Sequence, residues 1–127
     1  MDLYSIKSNK DFYRKVYTVM HELGHLNQDI NYDNYGEAEK NRMSMEKELM
    51  NKKREFYNQN HDNFYVEIDA DMYAIEKIVD DFKNVKDACS ICLEKIKKVK
   101  GILKSDSDFM KLETEKYREM KEQNKKL

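Results

Sequence analysis

The chain has 127 residues, with 24 Lys+Arg against 25 Asp+Glu and a formal net charge of -1. That length fits one domain, spanning 1–127, and the charge balance argues against a nucleic-acid partner held by bulk positive field. No stretch approaches the ~18 apolar residues of a membrane span, the start lacks a signal-peptide pattern, and Cys89 and Cys92 make no disulfide framework. The expectation is a cytoplasmic protein with no membrane span.

Proline is absent and glycine occurs only at Gly24, Gly36 and Gly101. Tight turns favour Gly and Pro, so their scarcity beside abundant Lys, Glu and Met predicts a mainly α fold. Apolar spacing places about five helices. The first runs from about Lys10 to Ile30 on a stripe of Phe12, Val16, Val19, Leu23, Leu26 and Ile30. Asn- and Asp-rich chain from Gln28 to Gly36 reads as a loop. A charged helix with a weakly buried face follows from Glu37 to Tyr57, and Asn58 to Asn63 breaks the pattern. The next helix carries Ile68, Met72, Ile75, Val79 and Phe82, with Asp62 or Asn63 as its cap. Val85, Ala88, Cys92, Ile96, Val99 and Leu103 define another. Ser105, Asp106 and Ser107 cap the last, which bears Phe109, Leu112 and Met120. Any strand is short: Leu3 to Ile6, or Phe64 to Val66 before the fourth element.

The first helix contains His21-Glu22-Leu23-Gly24-His25. Histidines at i and i+4 share a helical face and can bind one Zn²⁺, with Glu22 placed to take a proton from a metal-bound water. Shuffling this composition produces the motif in about one sequence in two hundred, so chance is a poor explanation. At about 100° per residue the histidines lie roughly opposite Val19, Leu23 and Leu26. The expectation is therefore an apolar stripe on the core and a histidine face covered by something else, with Tyr13, Tyr17 and Gly24 flanking it.

A hydrolytic zinc site needs a third protein ligand and an open position. The segment Glu67-Ile68-Asp69-Ala70-Asp71-Met72-Tyr73-Ala74 supplies carboxylates, with Glu67 and Asp71 on one face. Glu67 is the favoured ligand, and Asp69 or Asp71 the alternatives. Asp71 is suited to accept the outer N–H of a liganding histidine. Ala70 and Ala74 allow a close helix crossing.

His-Glu-Leu-Gly-His followed by Glu-x-x-Ala-Asp-x-x-Ala resembles the gluzincin metallopeptidases. Within them it is most similar to the soluble minigluzincins and their membrane-bound CAAX-processing relatives, and next to the ImmA/IrrE type. The resemblance spans residues 13–79, the motif core, followed by C-terminal helices over 84–127. It implies a small zincin-like helical domain holding one Zn²⁺ per chain. It also implies His21, His25 and Glu67 as ligands, Glu22 as general base, Asp71 as the partner of a liganding histidine, and a peptide or protein substrate. His61, in the loop before Glu67, becomes a possible oxyanion donor. The implied activity is peptide-bond hydrolysis; the alternative is an inactive zincin-like protein that acts through protein–protein contacts and keeps a structural metal.

Two further features read as structural. Cys89 and Cys92 sit inside an amphipathic helix with no preceding strand, which fits core thiols and not a redox pair. The Lys run from Lys95 to Lys104 is diluted by Ile96, Val99 and Ile102 and reads as a solvated face.

Overall fold

Six helices and two 3-10 turns carry nearly all of residues 9–125, the part of the chain described by this computed structural model. They are α1 (Asn9–Ile30), α2 (Glu37–Lys52), α3 (Arg54–Gln59), α4 (Tyr65–Phe82), α5 (Lys86–Lys104) and α6 (Asp106–Lys125). The fold is mainly α, and no strand occurs among the described residues. No described helix is long and apolar enough to cross a membrane. The strand candidate Leu3 to Ile6 lies outside the described residues. Phe64 to Val66 forms the entry into α4, with only Phe64 extended.

The count rises from five to six because the chain bends at Lys53 (φ -124°, ψ 58°) and divides the expected Glu37–Tyr57 helix. The bend lets α3 turn Tyr57 inward, where it is buried against Phe64 and Val66. The helix α1 ends at Ile30, where its apolar spacing ends it, so the Asn- and Asp-rich connection starts after Ile30 and not at Gln28, and it holds a 3-10 turn (Tyr32–Asn34).

The central helix is α4. Val66, near its start, joins Met43, Leu49, Tyr57, Phe64, Phe109 and Met120 in one apolar cluster. Further along, Ala74 and Ile78 join Tyr17, Ala88, Ile91 and Cys92 in a second. Cys92 is buried and Cys89 half-buried, and burial together with the neighbouring Cys89 pushes the Cys92 thiol up. Cys92 therefore serves as a core thiol, while Cys89 sits at the rim with its Sγ 3.4 Å from the Lys83 carbonyl oxygen.

The apolar stripe of α1 is not where periodicity puts it. Tyr17, Gly24 and Gln28 are the buried residues of this helix. Val19, Leu23, Leu26 and Ile30 are 57%, 41%, 53% and 72% exposed. On α4 the buried face is Val66, Glu67, Ile68, Ala70, Asp71, Ala74 and Ile78, while Met72 and Val79 lie open. The reason is polar. The His21 and His25 side of α1 and the Glu67 and Asp71 side of α4 satisfy each other's hydrogen bonds, and buried polar groups need such partners. Both helices are thereby rotated about their axes.

The cap of α4 also differs from expectation. Neither Asp62 nor Asn63 caps it; Phe64 holds the cap position with no side-chain bond. Glu46, fully buried on α2, instead accepts from the Tyr65 N–H (2.8 Å) and the Val66 N–H (2.9 Å). Its negative charge suits a helix N-terminus. Arg42 gathers this group, donating to Glu113 (3.0 Å) and Asp106 (2.9 Å) and lying 3.3 Å from Glu46.

Glu113 is fully buried, and its Oε2 accepts no hydrogen bond. Burial and the adjacent Glu46 carboxylate push it up to about 10, so it keeps its proton at neutral pH. A group raised above its unfolded value of 4.5 contributes stability below that pH and loses it as pH climbs toward 10. Glu113→Gln preserves the shape and a donor. It should raise stability at pH 8 by about 1–3 kcal/mol and flatten the dependence of denaturant midpoint on pH. An unchanged slope between pH 5 and 9 would count against a protonated Glu113.

Candidate metal centre

Gly24 of α1 lies directly against Ala70 of α4. A Cβ on Gly24 would lie 2.9 Å from the Ala70 Cα and 3.0 Å from its carbonyl oxygen. Only glycine permits that approach, which brings the two motifs together.

Beside this contact, three ligand atoms converge. His21 Nε2 lies 3.0 Å from Glu67 Oε1, His25 Nε2 lies 3.1 Å from the same oxygen, and the two ring nitrogens are 3.2 Å apart. Ligands about 2.0–2.1 Å from a tetrahedral centre stand about 3.3 Å from one another. His21, His25 and Glu67 are thus spaced as three corners of such a site, with all three atoms within 4.8 Å.

Hydrogen bonding sets the tautomers. His21 Nδ1 is 2.7 Å from Asp71 Oδ1, an acceptor, so the proton is on Nδ1. Gln28 donates its amide to the Val66 carbonyl (2.7 Å) and to Asp69 (3.0 Å), which leaves its oxygen to accept from His25 Nδ1 at 3.2 Å. In the neutral rings both Nε2 atoms therefore point lone pairs at the Glu67 carboxylate. Three acceptors facing one point demand positive charge, supplied by protons or a metal cation. The donor set fits zinc: two imidazoles and one carboxylate, with each ligand anchored from behind.

Those anchors are specific. Tyr57 donates its hydroxyl to Glu67 Oε2 (2.9 Å), leaving Oε1 for the cluster. Tyr17 donates to the Asp71 carboxylate, and Lys98 Nζ sits 4.0 Å from Asp71 Oδ2. Burial, then the carboxylate each one meets, pushes the Tyr17 and Tyr57 hydroxyls up, so both remain donors. Burial works against charge on Glu67 and Asp71, but the histidine hydrogen bonds outweigh it and hold both carboxyls below their usual range.

His21 is raised to about 9, first by its hydrogen bond to Asp71 and then by that to Glu67. His25 is raised by Glu67. Without metal, His21 thus contributes stability below its unfolded value of 6.5 and loses it as pH rises through about 9. A metal must displace that proton. Apparent zinc affinity should therefore keep increasing up to about pH 9, and should not level off near 6.5 as for an ordinary histidine site. Competition with a chromophoric chelator across this range checks it.

The remaining expected residues lie around this point. Glu22 is exposed and lines a cleft of about 360 Å³ with His25, His61, Glu67, Lys47 and Tyr57. His61 Nε2 stands 3.1 Å from Glu67 Oε1, and its Nδ1 is 3.0 Å from Asp62 Oδ1. Asp69 points elsewhere, accepting from Tyr35 (2.7 Å) and Gln28. Tyr57, Gln28 and Glu46 escaped the sequence reading. Each has a hydrogen-bond partner 10 or more residues away, and none belongs to a spacing motif. No known protein family, curated protein or solved structure matches this chain.

Proposed function

We propose that this protein is a zinc-dependent peptidase, and that the gluzincin resemblance of its two motifs reflects shared chemistry. The observation that carries the reading is the convergence of His21 Nε2, His25 Nε2 and Glu67 Oε1, with Glu22 on the wall of the adjoining cleft. When bound, zinc lowers the pKa of a coordinated water and polarises a carbonyl. His21, His25 and Glu67 hold the metal, and Asp71, Gln28 and Tyr57 fix their orientation. Glu22 accepts the proton of the attacking water and delivers it to the leaving amine. His61, at the mouth of the cleft, donates to the developing oxyanion.

The test uses a library of short peptides and the zinc-loaded chain. Glu22→Gln should lower hydrolysis by about 10²–10⁴-fold while zinc content stays at the wild-type level. Hydrolysis that survives Glu22→Gln intact would refute Glu22 as the base. A chain that binds zinc and cleaves nothing would favour the structural-metal alternative.

A further inference from the structure

The chain has three histidines, and all three bring Nε2 to one atom. His21 and His25 stand 3.0 and 3.1 Å from Glu67 Oε1, and His61 stands 3.1 Å from it. Only the first two follow from the helical motif. His61 arrives from the 3-10 turn (His61–Asn63) between α3 and α4, with its ring 5.3 Å from that of Tyr57, the residue that fixes Glu67.

The support behind His61 repeats the support behind His21. His21 Nδ1 meets Asp71 Oδ1 at 2.7 Å, and His61 Nδ1 meets Asp62 Oδ1 at 3.0 Å. Lys98 of α5 serves both carboxylates, 4.0 Å from Asp71 Oδ2 and 3.5 Å from Asp62 Oδ1. One lysine thus steadies two histidine–carboxylate pairs. A carboxylate on Nδ1 keeps the proton there and leaves Nε2 as a lone pair, the form in which imidazole binds a metal. A neutral His61 then has nothing to donate toward Glu67, and two acceptors 3.1 Å apart need a positive charge near both.

We infer that His61 is a fourth protein ligand, which closes the centre at rest and leaves it when substrate enters; this rests on the metal-centre reading above. His21, His25 and Glu67 leave one tetrahedral corner free. His61 Nε2 approaches Oε1 from the cleft, where its side chain is 47% exposed. Turning about its own side-chain bonds is the movement that carries Nε2 from the oxygen to that corner. Four protein ligands make a closed site, whereas three and a water make a reactive one. The exchange is a ligand substitution: the Nε2 lone pair leaves as a water or a substrate carbonyl oxygen takes its place. Once released and protonated on Nε2, the same ring is the oxyanion donor of the proposed hydrolysis. The centre is therefore latent until substrate displaces His61.

Zinc and cobalt binding by the full chain test this. His61→Ala, at an exposed position in a turn, should leave helical content unchanged and weaken zinc binding about tenfold or more. The cobalt-loaded variant should differ from the wild type in its visible spectrum, and millimolar imidazole should bring the wild-type spectrum back by filling the vacated corner. A variant that keeps full zinc affinity and the wild-type cobalt spectrum overturns the inference. A fall in hydrolysis without either change also overturns it, and gives His61 the oxyanion role alone. A wild-type chain that binds no zinc removes the metal centre and the proposed function together, so the two failures are told apart.

Discussion

Glu67→Ala should lower zinc affinity by more than about a hundredfold, above the range expected for losing an outer hydrogen-bond partner. Among the described residues, Glu67 supplies the one carboxylate oxygen that faces both His21 Nε2 and His25 Nε2. It is also held from behind by Tyr57, which bonds Oε2 and leaves Oε1 toward the two rings. Asp71→Asn should be milder, about 10–100-fold, because it touches no ligand and replaces the charged acceptor behind the His21 ring with a neutral amide. Isothermal titration with zinc separates the two. If Asp71→Asn abolishes binding and Glu67→Ala does not, the ligand on α4 is the other carboxylate.

Gly24→Ala should destabilise the chain by about 1–3 kcal/mol, although alanine favours helix over glycine by about 1 kcal/mol. The added methyl meets the Ala70 backbone at 2.9–3.0 Å, and backbone cannot move aside as a flexible side chain can. α1 must back away from α4, and the metal ligands divide between those two helices. Zinc affinity should therefore fall at least about tenfold with every ligand intact. Chemical denaturation and zinc titration of this variant check both halves. Gly101→Ala serves as the control, since a Cβ there meets nothing within 4 Å and only helix propensity changes.

The helices and the chemistry-bearing residues are legible in the sequence because each depends on near neighbours. Six of the apolar residues on α1 mark a helix without ambiguity, and His21 and His25 must share a face once that helix forms. Glu67 and Asp71 follow by the same spacing. Which face of α1 turns inward is a different question. The periodic stripe points to Val19, Leu23 and Leu26, yet the buried residues are Tyr17, Gly24 and Gln28. Burial there is decided by hydrogen bonds to Asp71, Val66 and Asp69, partners about 40–55 residues away that no periodicity encodes. The bend at Lys53 is hidden for the same reason. No proline or glycine marks it, and it is stabilised by what Tyr57 reaches once the chain has turned. Gly24 was visible as a small residue between two histidines, and its contact with Ala70 gives it a role that the alanines alone were expected to fill.

The most direct test is the zinc content of protein purified without chelators or a nickel column, reconstituted at neutral pH and measured by mass spectrometry of the metal. The geometry of His21, His25 and Glu67 predicts about one equivalent per chain, lost in His21→Ala and kept in Glu22→Gln. Less than about a tenth of an equivalent in the wild type would contradict a metal centre and leave the three side chains as a proton-bridged ion cluster.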